Sequence, residues 1–314
     1  MSVESSQGKS RDLAAEAITF DVSALNHAIV QKYQPTYLSR GAEHIVYEMP
    51  KHPDLVAKAN GTSIKAAIDS NFLHKRTPDA FPEELVPSID GHIQSDLVRF
   101  RNVRSFFGSD HVPNCKQMFV KVPMTPAILA DLYEGNSPVS TNECWALVTL
   151  QKKVSEMIHG TQVSPLASFR SEEFFQEMCR FIEADKGLKE ALVGFLAKVQ
   201  EYNTLPTGEI LDIYGDNNVA FFKKDGSWTY SLVDVLYEEP KPNFDTGRGL
   251  VLRFQAGEQL IGDERENALG LLGYVLNLWK MTDALGTENK MHLVSGDFDE
   301  HVALFDRLSK KENL

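Results

Sequence analysis

From residue 33 to residue 150 the apolar positions come in short bursts set between polar connections. TYLSRG, HIVYEM, DLVAKA, KQMFVKV and CWALVTL are each rich in β-branched or aromatic residues, which predicts a strand at each. Ahead of the fourth burst, Ile93, Leu97, Phe100, Val103 and Phe107 recur at helical spacing. HIQSDLVRFRNVRSFFG therefore reads as a helix with Asp96 on a neighbouring face.

From Ser171 the period changes. Phe174, Met178, Phe181 and Ile182, then Leu188, Leu192, Phe195, Leu196 and Val199, recur at helical spacing, and Ser171 ahead of Glu172 and Glu173 suits a helix N-terminus. NALGLLGYVLNLWKM is apolar almost all round yet too short to cross a bilayer, which predicts a central buried helix. Between them, ILDIYGDNNVAFFKKDGSWTYSLVDVL reads as an acidic turn, a strand at NVAFF, a turn at Lys224-Asp225-Gly226 and a strand at TYSLVDVL. SGDFDEHVALFDRL lacks the ligand spacing and glycine of a calcium loop, so its acids read as the first turn of a final helix. The expected organisation is α+β: a flexible N-terminal segment over 1–30, a strand-rich part over 31–150 and a helical part over 151–314. Asn60 to Asp90, with Phe81-Pro82 and Pro87, is expected to be an inserted element or a partner-binding loop.

A length of 314 residues with 42% hydrophobic and 24% charged residues suffices for one large domain or two lobes. The formal charge of -12 argues against a broad nucleic-acid or anionic-membrane surface, which would need clustered Lys and Arg. Cys115, Cys144 and Cys179 are far apart and without CxxC spacing, so reduced, mostly buried thiols are expected rather than a disulfide framework or a zinc site. No run of about 18 apolar residues occurs, so a soluble, cytoplasmic chain with no membrane span is expected. Gly8-Lys9-Ser10 has the end of a phosphate loop but Val3 where its first glycine belongs. Neither HExxH nor GxSxG is present.

The sharpest chemical signal is Asp234. A carboxylate between Val233 and Val235 on an apolar strand is costly without a cation or a donor. Asp212, Asp216, Asn217 and Asn218 are also turn-forming residue types, and tightening the turn is the preferred account of Asp216. Lys58 taken alone reads as a lysine that discourages edge-to-edge sheet pairing.

In order along the chain these residues resemble the protein-kinase-like fold, in the wide sense that includes small-molecule phosphotransferases and atypical kinases. The matching series is a strand, a turn at Gly41, a strand ending Val46-Tyr47, Val56-Ala57-Lys58 on a third strand, and then the acidic turn and hairpin. The resemblance implies two lobes, ATP and Mg²⁺ as cofactors, and transfer of the terminal phosphate to a hydroxyl on an unknown protein or small-molecule acceptor. Lys58 would pair with the inner phosphates and Gly41 would lie in the phosphate-covering turn. Gln151, Lys152, Lys153 and Val154 would form the hinge beside the nucleotide. Asp96 would hold Lys58, with Glu83 and Glu84 as alternatives. Asp212 would orient or deprotonate the acceptor hydroxyl, and Asp234 with Asn217 or Asn218 would hold the metal. Spacing from Asp212 selects Asn217, whereas the Asn-Val entry into the strand selects Asn218. His44, close to Gly41, reads as a surface strand position. No His-Arg pair precedes Asp212, Val235-Leu236 replaces Phe-Gly, one glycine occupies the covering turn and no Ala-Pro-Glu follows, which excludes an ordinary eukaryotic-type protein kinase. The alternative is a pseudokinase, a nucleotide-binding or scaffolding module with little or no transfer.

Overall fold

The computed structural model describes residues 35–40, 44–113, 115–135, 137–153, 162–206, 208–215, 218–237 and 241–310. The segment expected to be flexible, 1–30, lies outside them, as do Gly41, Val154, Asp216 and Asn217. The described residues form an α+β protein in two compact units. One falls within Met1–Arg101 and Pro113–Met157, the other within Asn102–Val112 and Ile158–Leu314.

The apolar bursts of the first unit become β1 (Thr36–Arg40), β2 (His44–Glu48), β3 (Leu55–Asn60), β4 (Cys115–Pro123) and β5 (Glu143–Lys152). They pair in one antiparallel sheet of order β1-β2-β3-β5-β4. β5 lies inside the sheet, and its run of Cys144 to Val148 is buried throughout, which is why it reads as continuously apolar. The region from Asn60 to Asp90, expected to be an inserted element or a partner-binding loop, opens with a helix packed on the sheet. Asn60 caps helix α1 (Gly61–Leu73) by accepting from Ser63 N at 2.6 Å, and Ile64, Ala67 and Ile68 of α1 join the sheet's core. Ser63 Oγ also accepts from Leu147 N at 2.9 Å, tying the helix start to β5. Helix α2 runs Val86–Phe107, starting earlier than its apolar pattern suggests, with Pro87 in its first turn. A short α3 (Pro126–Leu132) is capped by Thr125.

The second unit contains α4 (Glu172–Ala184), α5 (Lys186–Asn203), the hairpin β6 (Val219–Lys224) and β7 (Ser227–Leu232), α6 (Phe244–Gln255), α7 (Gly262–Leu285) and α8 (Phe298–Ser309). The helical run after Ser171 is two helices. Asp185 adopts extended backbone, ends α4 and caps α5 by accepting from Leu188 N at 3.1 Å. On α4 the inward side chains are Phe175 and Ile182, whereas Phe174 and Phe181 are 42% and 44% exposed. Spacings of three and four fit both stripes, so periodicity alone could not choose between them.

Helix α7 buries ten of its 24 residues, all from Ala268 onward, and Asp297 caps α8 by accepting from Glu300 N at 3.2 Å. Cys144 is buried and its thiol is pushed up to about 12 by that burial, while Cys115 and Cys179 are half-buried. No helix among the described residues is long and apolar enough to cross a membrane.

Candidate functional site

The hairpin positions the acidic turn. Asp225 and Gly226 both take positive φ, 51° and 80°, so the two-residue turn matches the strand twist, with Lys224 opposite Ser227. The outer edge of β7 is closed by the loop after α2. Leu232 N donates to His111 O at 2.7 Å, and the His111 ring stacks on Tyr230 with centroids 4.1 Å apart. β7 stops at Leu232, so Asp234 lies in a bend two residues beyond it and is half-buried, not inside the strand.

Asn218 knits the turn together. Its side-chain Nδ2 donates to Asp212 O at 2.9 Å, and its own carbonyl accepts from Val233 N at 2.8 Å and Asp234 N at 3.3 Å. Asp212 N in turn donates to Val235 O at 2.9 Å. The main chains carrying Asp212 and Asp234 are thus fastened on both sides of Asn218. Gly215 is required by this closure, because a Cβ there would lie 2.2 Å from Asn218 Nδ2.

The Asp212 carboxyl is pushed above the usual carboxylate range. Burial is the largest cause and the negative charge of Asp234 the next, opposed by the Asn218 amide and by the backbone N–H groups of Gly215 and Tyr214. Two carboxylates and an amide oxygen are donor types that a hard cation such as Mg²⁺ takes, and here the amide's Nδ2 is committed to Asp212 O. Among the described residues no group of three or more His, Cys, Asp or Glu is placed to hold a metal ion.

In the first unit Lys58 is half-buried on β3, paired with Val46 of β2 and Thr149 of β5. Thr149 pairs with Gln117 of β4, so Lys58, Thr149 and Gln117 share one face of the sheet. Asp96 of α2 docks on that row, accepting from Gln117 Nε2 at 3.0 Å, and is also met by Arg99 Nη1 at 2.9 Å and His92 Nε2 at 3.4 Å. Glu83 and Glu84 form a single 3-10 turn, and Glu84 pairs with Arg76.

The expected hinge starts within the sheet. Gln151 and Lys152 are the last residues of β5, with Gln151 buried, and Lys153 pairs with Glu48 at 3.0 Å. His44 begins β2 opposite Asn60.

A residue outside the sequence motifs contributes to the second unit's site. Asn203, fully buried at the end of α5, donates from Nδ2 to Tyr274 Oη at 2.8 Å and accepts from Leu211 N at 3.4 Å. It therefore anchors the segment entering Asp212. Nothing in the local pattern marks it, because a polar residue at a helix end is ordinarily solvated.

Compared with known proteins, the chain matches no family model, and neither a curated protein nor a solved structure is similar to it.

Proposed function

We propose that this chain is an atypical kinase-like phosphotransferase of two lobes, acting in the cytoplasm, that uses Mg-ATP to phosphorylate a hydroxyl acceptor. The observation that carries the reading is the pairing of Asp212 with Asp234 through Asn218: two carboxylates close enough to raise the pKa of the first, in a turn whose backbone fastens both. Phosphoryl transfer asks the protein mainly to position groups and to stabilise charge, which such a turn suits. In this reading Asp234 and the Asn218 amide oxygen hold the metal, whose charge offsets that of the phosphates. Asp212 accepts a hydrogen bond from the attacking hydroxyl and takes its proton, and the raised pKa brings this base nearer to neutrality. Lys58 binds the inner phosphates.

The test is thermal stability of the full chain with ATP, with and without Mg²⁺, beside Asp234→Asn. A ligand at about a hundredfold over its dissociation constant stabilises the folded state by roughly 2.7 kcal/mol. A magnesium-dependent shift that disappears in the variant is expected. No shift at saturating nucleotide overturns the reading in favour of a scaffolding pseudokinase.

A further inference from the structure

Helix α4 carries two apolar rows. Phe175 and Ile182 face the core, whereas Phe174, Met178 and Phe181 recur at spacings of four and three along a second row. Phe174 and Phe181 are 42% and 44% exposed, and Met178 is half-buried. Single exposed apolar residues are ordinary on a protein surface. A row of three along one helix is a contiguous patch, and such patches mark interaction surfaces, where aromatic residues and Met are enriched.

The charges beside the row point to what covers it. Glu173, Glu177 and Arg180 repeat the same spacing one residue earlier, so they form the neighbouring row. The other charged groups of the helix are engaged within the chain: Glu172 lies 3.8 Å from Lys280 of α7, and Glu183 pairs with Lys189 of α5. Glu173, Glu177 and Arg180 are exposed, and among the described residues their side chains have no ion-pair partner.

Acids outnumber the base along this row, which disfavours an anionic lipid surface or a nucleic acid. The row is also ordered, with both acids in the N-terminal half of the helix and the base in the C-terminal half. A second copy of the helix laid antiparallel sets Arg180 of each copy toward Glu173 and Glu177 of the other. Phe174 of one then meets Phe181 of the other, with Met178 between them. Laid parallel, acid would face acid and base would face base. A two-fold axis crossing the helix near Met178 generates the antiparallel arrangement. Both rows are self-complementary under that axis, as an isologous contact requires.

We infer that the outward face of α4 is a self-association surface, through which two copies of this chain pair antiparallel about Met178. The helix has 13 residues, so the contact falls at the small end of specific interfaces, below about 1,200 Å² in total, and the dissociation constant is on the order of 10–100 µM. The inference does not rest on nucleotide binding or transfer.

The experiment is sedimentation equilibrium of the full chain over concentrations extending about tenfold to either side of that range. The weight-average mass should rise from that of one chain to that of two. Phe174→Ser combined with Phe181→Ser should hold the mass at one chain throughout. Arg180→Glu, a change at an exposed position that leaves the core untouched, should weaken the pairing about tenfold. The double variant Glu173→Lys, Glu177→Lys should weaken it similarly. Mixed together, the acidic and basic variants should pair with each other at least as tightly as the unsubstituted copies do. A thermal melt of each variant checks that it is folded.

A mass that stays at one chain at every concentration, pairing that survives loss of both phenylalanines, or pairing unaffected by Arg180→Glu would overturn the inference. So would failure of the acidic and basic variants to pair with each other. A chain that stays single yet binds an amphipathic helical Leu/Lys peptide through Phe174 and Phe181 would give this face to a basic partner instead.

Discussion

The two units surround a carboxylate in opposite ways. In the sheet unit, Asp96 is met by a guanidinium, an imidazole and an amide, and Arg99 itself is only 9% exposed. In the hairpin unit, Asp212 is set near a second carboxylate and its pKa rises, with only amide and backbone donors opposing that shift. A carboxylate that serves architecture is neutralised where it lies. One whose pKa is raised by burial and a like charge marks a candidate for chemistry, and the difference is more telling than either residue alone.

The largest effect expected is on Asp212. Under the proposed function Asp212→Asn lowers turnover by about 10²–10⁴-fold with little change in Mg-ATP binding, measured by steady-state kinetics beside the thermal shift. The same change should stabilise the fold at neutral pH. The folded carboxyl keeps its proton to higher pH than the unfolded one, so the folded state binds more protons between the two values. Stability attributable to Asp212 therefore falls as pH rises from the unfolded value through the folded one. The variant should lose that slope and melt on the order of 1–2 °C higher at pH 7, read from melts across pH 4 to 8. An unchanged turnover would break the contrast between the two sites.

Arg99→Met tests the other half. Removing the buried guanidinium beside Asp96 should destabilise by about 2–3 kcal/mol in urea melts, and a double variant with Asp96→Asn should recover part of the loss. Gly215→Ala should cost about 1–2 kcal/mol, because the new methyl collides with Asn218, and it should weaken magnesium-dependent nucleotide binding at the same time. The smallest effect is that of Gln117→Leu. It removes one donor to Asp96 but also a buried Oε1 that has no partner, so a net change of about 1 kcal/mol or less is expected.

Much of the α+β architecture is legible in short-range pattern. Strand bursts, the α7 run, the Asp225-Gly226 turn and the helix starts at Ser171 and among the acids after Gly296 depend on residues within a few positions of one another. The misreadings lie where a local pattern admits two solutions. Phe174 and Phe175 both satisfy helical spacing, and only packing against neighbouring elements turns Phe175 inward. Asp234 was expected inside a strand because Val233 and Val235 flank it, but ladder pairing ends where its partner Asn218 leaves the strand and uses its carbonyl to hold the bend.

By itself the sequence determined the positions of the strand bursts, the residue types of the acidic turn, the hairpin that carries it and the total charge. Those properties are set by covalent neighbours, dihedral preference and composition. Tertiary structure decided which long-range partners meet. Asn203 reaches Tyr274 and the chain entering Asp212, the His111 loop closes the edge of β7, Asp96 of α2 meets Gln117 on the sheet, and Tyr237 and Tyr274 come to one cleft. Apart from Asn203 and Leu211, eight residues apart, such partners are separated by tens of residues, and the burial and charge that tune each site arise only when the chain has closed those distances.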